Sequence, residues 1–564
     1  MLIKYLFTLL LLAVFTSNAY CAKKPNFAVA TSHHLATSEA LAVLEQGGSA
    51  ADAAVVTQLL LTLVEPQSSG IGGGAFALFW DNKKTQLSSY DGRETAPLNA
   101  QENYFFDANN KPLQWSFTTV RGAKSVGVPG TLALIKKMHD KHGKLDWNDL
   151  LDRIIKIADK GYKLDKKIYR NLVFAQKNGL NKTYKVAYNF YFQNNKPKPI
   201  GTIIKNPAFA KTLKTIQTSG IQAFYGGSIA QDILTAMQNS PQQAKIGQAL
   251  SIDDFKKYQM KIRPAICHAY RSWKVCGMGP PSSGALTVGQ ILSILNNFDM
   301  KKIGFSAEAI HLFSEASKLA YADRALYMAD SDFVKMPTQG LLNSNYLQQR
   351  AKLISLQKTL ETPVLAGIPP NNINHKLTAD EQPEQPSTSH FNIVDSTGNI
   401  ISMTTTIEQG FGSGIMVGGF MLNNELTDFS FKSELNGKKI ANRVEGGKRP
   451  RSSMSPSIIF NDKNQPILTI GSPGGSRIIE YVASSIIAIL DWNMPLKKAL
   501  DLGHFANRNH NITELEANSN SLVFAQQLKK LGHKIAIVAM QSGLTAILIN
   551  ADGSLITAVD RRRE

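Results

Sequence analysis

A change of character at residue 388 constrains this chain more than any other feature. Residues 361–387 crowd prolines, asparagines and glutamates together and end in Glu384-Gln385-Pro386-Ser387, a loop long enough to suggest either function or disorder. Ahead of it, residues 130–350 read mostly as helix. Behind it, residues 388–564 read as short β runs with two or three helices. Helices, then strands, then helices flanking the strands predict a layered α/β (α+β) arrangement. Length alone would suggest about three to four domain-sized units. With 43% hydrophobic and 19% charged residues, the composition is globular and excludes wholesale disorder or a rod. The net charge is +19, but no arginine-rich arm or RNA-binding motif accompanies it, so no nucleic-acid partner is expected.

The N-terminus carries an address. Lys4 precedes an apolar run from Tyr5 to Phe15, and Ser17-Asn18-Ala19 supplies the small residues of a cleavage site. This predicts a signal peptide over residues 1–19 and export to a periplasmic or extracellular compartment. The run is too short to span a bilayer, and no later stretch is long and apolar enough. A lipoprotein reading at Cys21 is weakened by the bulky Tyr20. Cys267 and Cys276 bracket a segment that reads as a hairpin, so they are either a disulfide or two buried thiols.

Residues 36–64 read as two helices, the first capped by Ser38 and ended by Gly47-Gly48, the second running from Ala50 to Val64. Gly70, Gly72, Gly73 and Gly74 then lead into a strand from Ala75 to Trp80. A phosphate-binding loop runs from strand through glycines to helix, so this reversed order excludes a nucleotide-cofactor fingerprint. Glu308 to Tyr327 reads as a buried amphipathic helix with His311 and Glu315 one turn apart. No third metal ligand lies nearby in the sequence, so the pair is expected to be a polar edge rather than a metal site.

The chemistry centres on the segment beginning at Thr388. Ser396-Thr397-Gly398 suits a three-residue hairpin loop. That register pairs Asp395 with Asn399 and, carried back along the strands, sets Thr388 opposite Thr406. A hydroxyl is a weak nucleophile without a base, and no His-Asp partner is evident from spacing. Cutting the chain ahead of Thr388 would free an α-amino group of ordinary pKa about 8, able to serve as the residue's own base. Further on, Ile467–Ile470 reads as a strand, Gly471-Ser-Pro-Gly-Gly-Ser476 as a turn and Arg477 onward as a helix. The N–H groups of Gly474 and Gly475 could face an anion there.

Taken in order, the motifs resemble those of the γ-glutamyltransferase (γ-glutamyltranspeptidase) family of N-terminal nucleophile hydrolases, over about residues 26–560. They are Glu65-Pro-Gln-Ser-Ser-Gly-Ile-Gly-Gly-Gly74, Asp91-Gly-Arg-Glu-Thr-Ala-Pro97, Ala320-Tyr-Ala-Asp-Arg324, Thr388-Ser-His390, Leu422-Asn-Asn-Glu425, Asp428-Phe-Ser430, Arg451-Ser-Ser-Met-Ser-Pro456 and Gly471-Ser-Pro-Gly-Gly475.

The resemblance implies a four-layer αββα sandwich with two stacked, mainly antiparallel sheets. It implies self-cleavage between Ser387 and Thr388 into a large subunit, 20–387, and a small subunit, 388–564, forming one intertwined unit. Thr388 would be the nucleophile, Thr406 its orienting partner, and Gly474 and Gly475 the oxyanion hole. Arg93, Ser452 and Ser453 would hold the donor's α-carboxylate, and Glu408, Glu425 and Asp428 its α-ammonium. That would gather three carboxylates around one ammonium, so one of them is either protonated or aimed elsewhere.

The implied donors are glutathione and other γ-glutamyl compounds, and the acceptors are water, amino acids or peptides. No metal or organic cofactor is implied. A related glutaryl or cephalosporin acylase is the rival reading, and the ammonium-binding carboxylates argue against it. From Phe431 to Lys448 the chain departs from many bacterial relatives, because the lid is short and basic and has no Tyr or Trp. A more open site is expected.

Overall fold

The computed structural model describes residues 26–117, 119–241, 250–371, 377–380 and 387–563. The expected signal peptide and the Glu384–Pro386 end of the proline-rich loop lie outside them. Twelve strands build the two main sheets: β1 (Ala28–Thr31), β2 (Gly74–Asp81), β3 (Gln86–Gly92), β4 (Lys261–Arg263), β5 (Ile266–Tyr270), β6 (Trp273–Gly277), β7 (Ser389–Val394), β8 (Ile400–Thr406), β9 (Ser457–Phe460), β10 (Pro466–Gly471), β11 (Thr545–Ile549) and β12 (Leu555–Val559). The first sheet has the order β1-β7-β8-β2-β3-β4, and the second β12-β11-β10-β9-β6-β5. Every pairing in both is antiparallel.

Alternation along the strands makes the layers. In β2, Ala75, Ala77 and Phe79 face an outer helical layer, while Leu78 and Trp80 join Ile400, Ile458, Phe460 and Ile547 between the sheets. Successive side chains of a strand point to opposite faces, so a strand covered on both sides is apolar throughout. Helices α1 (His34–Glu45), α2 (Ala50–Val64), α3 (Thr131–His142) and α4 (Trp147–Lys160) cover the first sheet. Helices α5 (Gly284–Leu295), α6 (Ala307–Tyr327) and α7 (Ile478–Leu490) cover the second. The result is the expected αββα sandwich. Because β7 and β8 lie between β1 and β2, the strands before and after residue 388 are interleaved in one sheet.

Several local expectations are sharpened. The first helix begins earlier than expected, with His33 as its cap: the imidazole Nδ1 accepts the Leu35 N–H at 3.2 Å, and Ser38 lies inside the helix. Helix α2 matches the expected span and opens with a reciprocal cap between Ser49 and Asp52. Cys267 and Cys276 face each other across the β5/β6 hairpin and form a disulfide. The glycine run ahead of β2 permits close approach. A Cβ at Gly73 would meet the Thr406 carbonyl oxygen at 2.0 Å, and one at Gly74 the Glu94 carboxylate at 2.2 Å.

Helix α6 also corrects an expectation. The tertiary fold brings His533 to His311 and Glu315, completing a buried triad. Its polar atoms are nonetheless engaged. Thr513 Oγ1 meets His533 Nδ1 at 2.8 Å, His533 Nε2 meets His311 Nδ1 at 2.8 Å, and His311 Nε2 meets the Ser355 carbonyl at 2.7 Å. The Lys318 ammonium lies 2.7 Å from Glu315 Oε1, so a cation already occupies the carboxylate. Among the described residues no helix is long and apolar enough to cross a membrane.

Candidate active site

The β7/β8 hairpin has the register read from the sequence: Ser389 pairs with Thr405, His390 with Thr404, and so on to Val394 with Ile400. Thr388 and Thr406 are the next pair beyond that ladder. Thr406 Oγ1 donates to the Ser387 carbonyl oxygen at 2.9 Å and accepts the Glu408 N–H at 2.8 Å. Ser387 is buried, and its hydroxyl donates to the Gln67 carbonyl at 2.6 Å. The peptide bond between Ser387 and Thr388 is therefore held from both sides. Upstream, Asp380 is anchored by the Arg451 guanidinium at 3.0 Å.

Thr388 opens onto a cavity lined by Arg93, Thr406, Glu408, Glu425, Asp428, Ser452, Ser453, Met454, Gly475 and Ile478. Ten of the eleven expected site residues are thus placed together, counting Ser387 through its bond to Thr406. Gly474 is the neighbour of Gly475 in the turn after β10. Both glycines have positive φ, 144° and 60°, which the tight turn into the following 3₁₀ segment requires. That segment, Gly475–Arg477, delays the helix to Ile478. Among the described residues, the cavity lining contains no aromatic side chain. Phe431, at the start of the short lid segment, is buried and stacks on Phe105 with ring centroids 4.3 Å apart.

One wall of the cavity is strongly acidic. Arg93 binds Glu425 through Nη1, Asp428 through Nη2 at 2.6 Å, and the Pro450 and Arg451 carbonyls at 3.1 and 2.8 Å. These acids hold the guanidinium firmly charged. The same crowding disfavours charge on the carboxyls themselves. Burial pushes Glu425 up to about 8, against the pull of Arg93, and burial pushes Glu94 up to about 8 as well. Burial, with Asp428 and Glu425 nearby, raises Glu408 well above its ordinary value. One guanidinium does not balance four buried carboxyls, so the crowding favours protonated forms among them.

On the other wall, the Arg324 guanidinium donates to Ser453 Oγ at 2.7 Å and to Ser283 Oγ at 2.8 Å, and the Ser452 carbonyl accepts the Ser283 N–H at 2.8 Å. His390 lies close to Thr388 in sequence but is no base for it. Burial drives it down to about 3, and its ring bonds Thr404 and Asn392.

The family model for gamma-glutamyltranspeptidase matches residues 36–564. The chain belongs to that family. It is 38% identical over 483 residues to the glutathione hydrolase proenzyme of Bacillus subtilis, covering 84% of this chain and 79% of that one. It is 33% identical over 551 residues to the glutathione hydrolase proenzyme of Escherichia coli, covering 95% and 90%. In fold it is similar to the crystal structure of cephalosporin acylase from Bacillus halodurans, with a TM-score of 0.83 and 24% identity over 98% of both chains.

As a gamma-glutamyltranspeptidase family member, the chain shows residues at its site that motif reading passed over. Glu94 directly follows Arg93 in a recognised motif, and the glycine run that makes room for it was also visible. Arg324 ends another motif, but its contact with Ser453 depends on α6 packing against the second sheet. Asp380 and Arg563, which reaches the Thr388 carbonyl at 2.8 Å, carried no sequence signal.

Proposed function

We propose that this protein is an autoprocessed γ-glutamyltransferase and glutathione hydrolase with Thr388 as its nucleophile. The observation that carries this reading is the Thr406 hydroxyl on the carbonyl of the bond to be cut. Attack of Thr388 Oγ on the Ser387 carbonyl carbon places negative charge on the oxygen that Thr406 already holds. The C–N bond then breaks, the chain is joined through an ester, and water releases Ser387 as a carboxylate and Thr388 as a free α-amine. Residues 20–387 and 388–564 become large and small subunits from one precursor, kept together by interleaved strands.

In turnover the free amine accepts the Thr388 hydroxyl proton as the oxygen attacks the donor's γ-carbonyl. The Gly474 and Gly475 N–H groups receive the oxyanion. The departing amine takes the proton, leaving a γ-glutamyl ester on Thr388. Water or the amine of an amino acid or peptide then accepts the acyl group. Asp428, Glu425 and Glu408 suit the donor's α-ammonium, while Arg93, Ser452 and Ser453 suit its α-carboxylate. Arg93 is engaged by Glu425 and Asp428, and a bound ammonium would draw those acids toward itself and free the fork for the carboxylate. A cavity lining without an aromatic side chain among the described residues favours ready entry of water and acceptors. The apolar run in residues 1–19 supports export.

N-terminal sequencing of the smaller fragment, beside a Thr388→Ala variant, tests the reading. The fragment is expected to begin at Thr388, and the variant to remain one inactive chain. Normal processing in that variant would overturn it. Turnover of glutaryl but not γ-glutamyl amides would instead favour the acylase reading.

A further inference from the structure

The start of strand β7 is held by a largely buried charge cluster outside the donor cavity. Arg563 lies 175 residues beyond Thr388 in the chain. Its Nη2 donates to the Thr388 carbonyl at 2.8 Å and its Nε to the Ser542 carbonyl at 3.2 Å. Its Nη1 lies 3.5 Å from both Ser68 Oγ and Glu65 Oε2. Glu65 is fully buried, and it also binds the Lys167 ammonium and the Ser389 hydroxyl. Lys167 and Arg563 hold this carboxyl ionised at about 2 despite its burial. Two cations thus share Glu65, and Asp165 acts on Lys167 as well, so the charge in direct contact with the nucleophile's backbone is the Arg563 guanidinium.

Resting on the proposed N-terminal threonine, we propose that Arg563 is a positioning residue that fixes the Thr388 carbonyl and biases the freed α-amine toward its unprotonated, base-competent form.

The distance argument is covalent. The amine nitrogen and carbonyl carbon of one residue share a Cα, so the amine lies within about 6 Å of the guanidinium. A like charge at that range disfavours the ammonium, by about one pH unit where a carboxylate partly screens it. The other charged groups around Thr388 do not cancel this. Across the cavity Arg93 is paired with Asp428, and the Glu425 and Glu408 carboxyls are raised toward their neutral forms. Glu65 is already shared between Lys167 and Arg563. The guanidinium's other bonds, to Ser542 and Ser68, hold it in place without neutralising it.

The amine can be titrated directly in the cleaved enzyme. Cyanate carbamylates only the unprotonated α-amine, so its labelling rate, read by mass spectrometry of the peptide beginning at Thr388, gives the amine's titration between about pH 5 and 9. Arg563→Gln keeps an N–H donor for the carbonyl but removes the charge. Arg563→Lys keeps the charge but loses the fork. The Gln variant is expected to cleave and to titrate about one unit higher than wild type, and the Lys variant within a few tenths of wild type.

An unchanged midpoint in Arg563→Gln, or an equal shift in both variants, overturns the proposal. Should the Gln variant stay uncut, the Lys variant decides alone: a midpoint raised by about a unit overturns it, and one held near wild type supports it. Failure of the Thr388 reading would look different, because wild-type enzyme would then yield no labelled Thr388 terminus at all.

Discussion

Thr406 Oγ1 lies 2.9 Å from the carbonyl oxygen of Ser387, one residue ahead of the hydroxyl that faces it across the hairpin. Removing this donor should slow self-cleavage by about 100- to 1,000-fold, the usual effect of losing one oxyanion contact. Thr406→Ala is expected to accumulate as full-length chain on a denaturing gel over a time course, and Thr406→Ser to cleave near the wild-type rate. Equal rates for both variants would remove Thr406 from the cleavage step.

Asp428→Asn exchanges a charged partner for a neutral one at the cavity wall. A hydrogen bond to a charged group is worth about 1.5–3 kcal/mol, so KM for a γ-glutamyl donor should rise about 10- to 100-fold with a smaller change in kcat. Steady-state kinetics over a range of donor concentrations reads the split. A fall confined to kcat would contradict the ammonium role.

Donor binding should release protons. Burial raises Glu425 and Glu94 to about 8, which favours their protonated forms near neutral pH. An incoming ammonium favours their ionised forms, so the proton leaves and affinity grows as pH rises toward about 8. Calorimetry of a non-hydrolysable γ-glutamyl analogue, in buffers of different ionisation enthalpy, measures the release directly. Glu94→Gln should reduce it, and pH-independent binding in wild type would refute the linkage.

The Cys267–Cys276 bridge closes a short loop in the β5/β6 hairpin. Loop-closure entropy gives it about 2–3 kcal/mol. A Cys267→Ser/Cys276→Ser pair should lower Tm by several degrees while leaving the activity of the folded fraction intact. Unchanged thermal unfolding in the double variant would show that the hairpin needs no staple.

Much of this architecture was legible because it is local. The alternation of β7 and β8 and the length of the Ser396-Thr397-Gly398 turn set which residues oppose each other, and a hairpin's register has no freedom once its turn is chosen. The span of α2 and the wrong direction of the glycine run for a phosphate loop were equally local. The cap of the first helix was misread because His33 offers a ring nitrogen where a hydroxyl was sought.

The remaining features depend on parts of the chain far apart in sequence. Arg93 meets Glu425 across 332 residues, His311 meets His533 across 222, and Arg563 meets Thr388 across 175. No periodicity encodes such meetings, because they depend on which layer each strand joins and how the layers stack. By itself, the sequence determined that a threonine would stand at the start of a strand, opposite a second threonine, after a proline-rich segment. Only the tertiary structure decided which charges surround it. Burial in a shared low-dielectric interior turns distant acids and bases into one electrostatic unit.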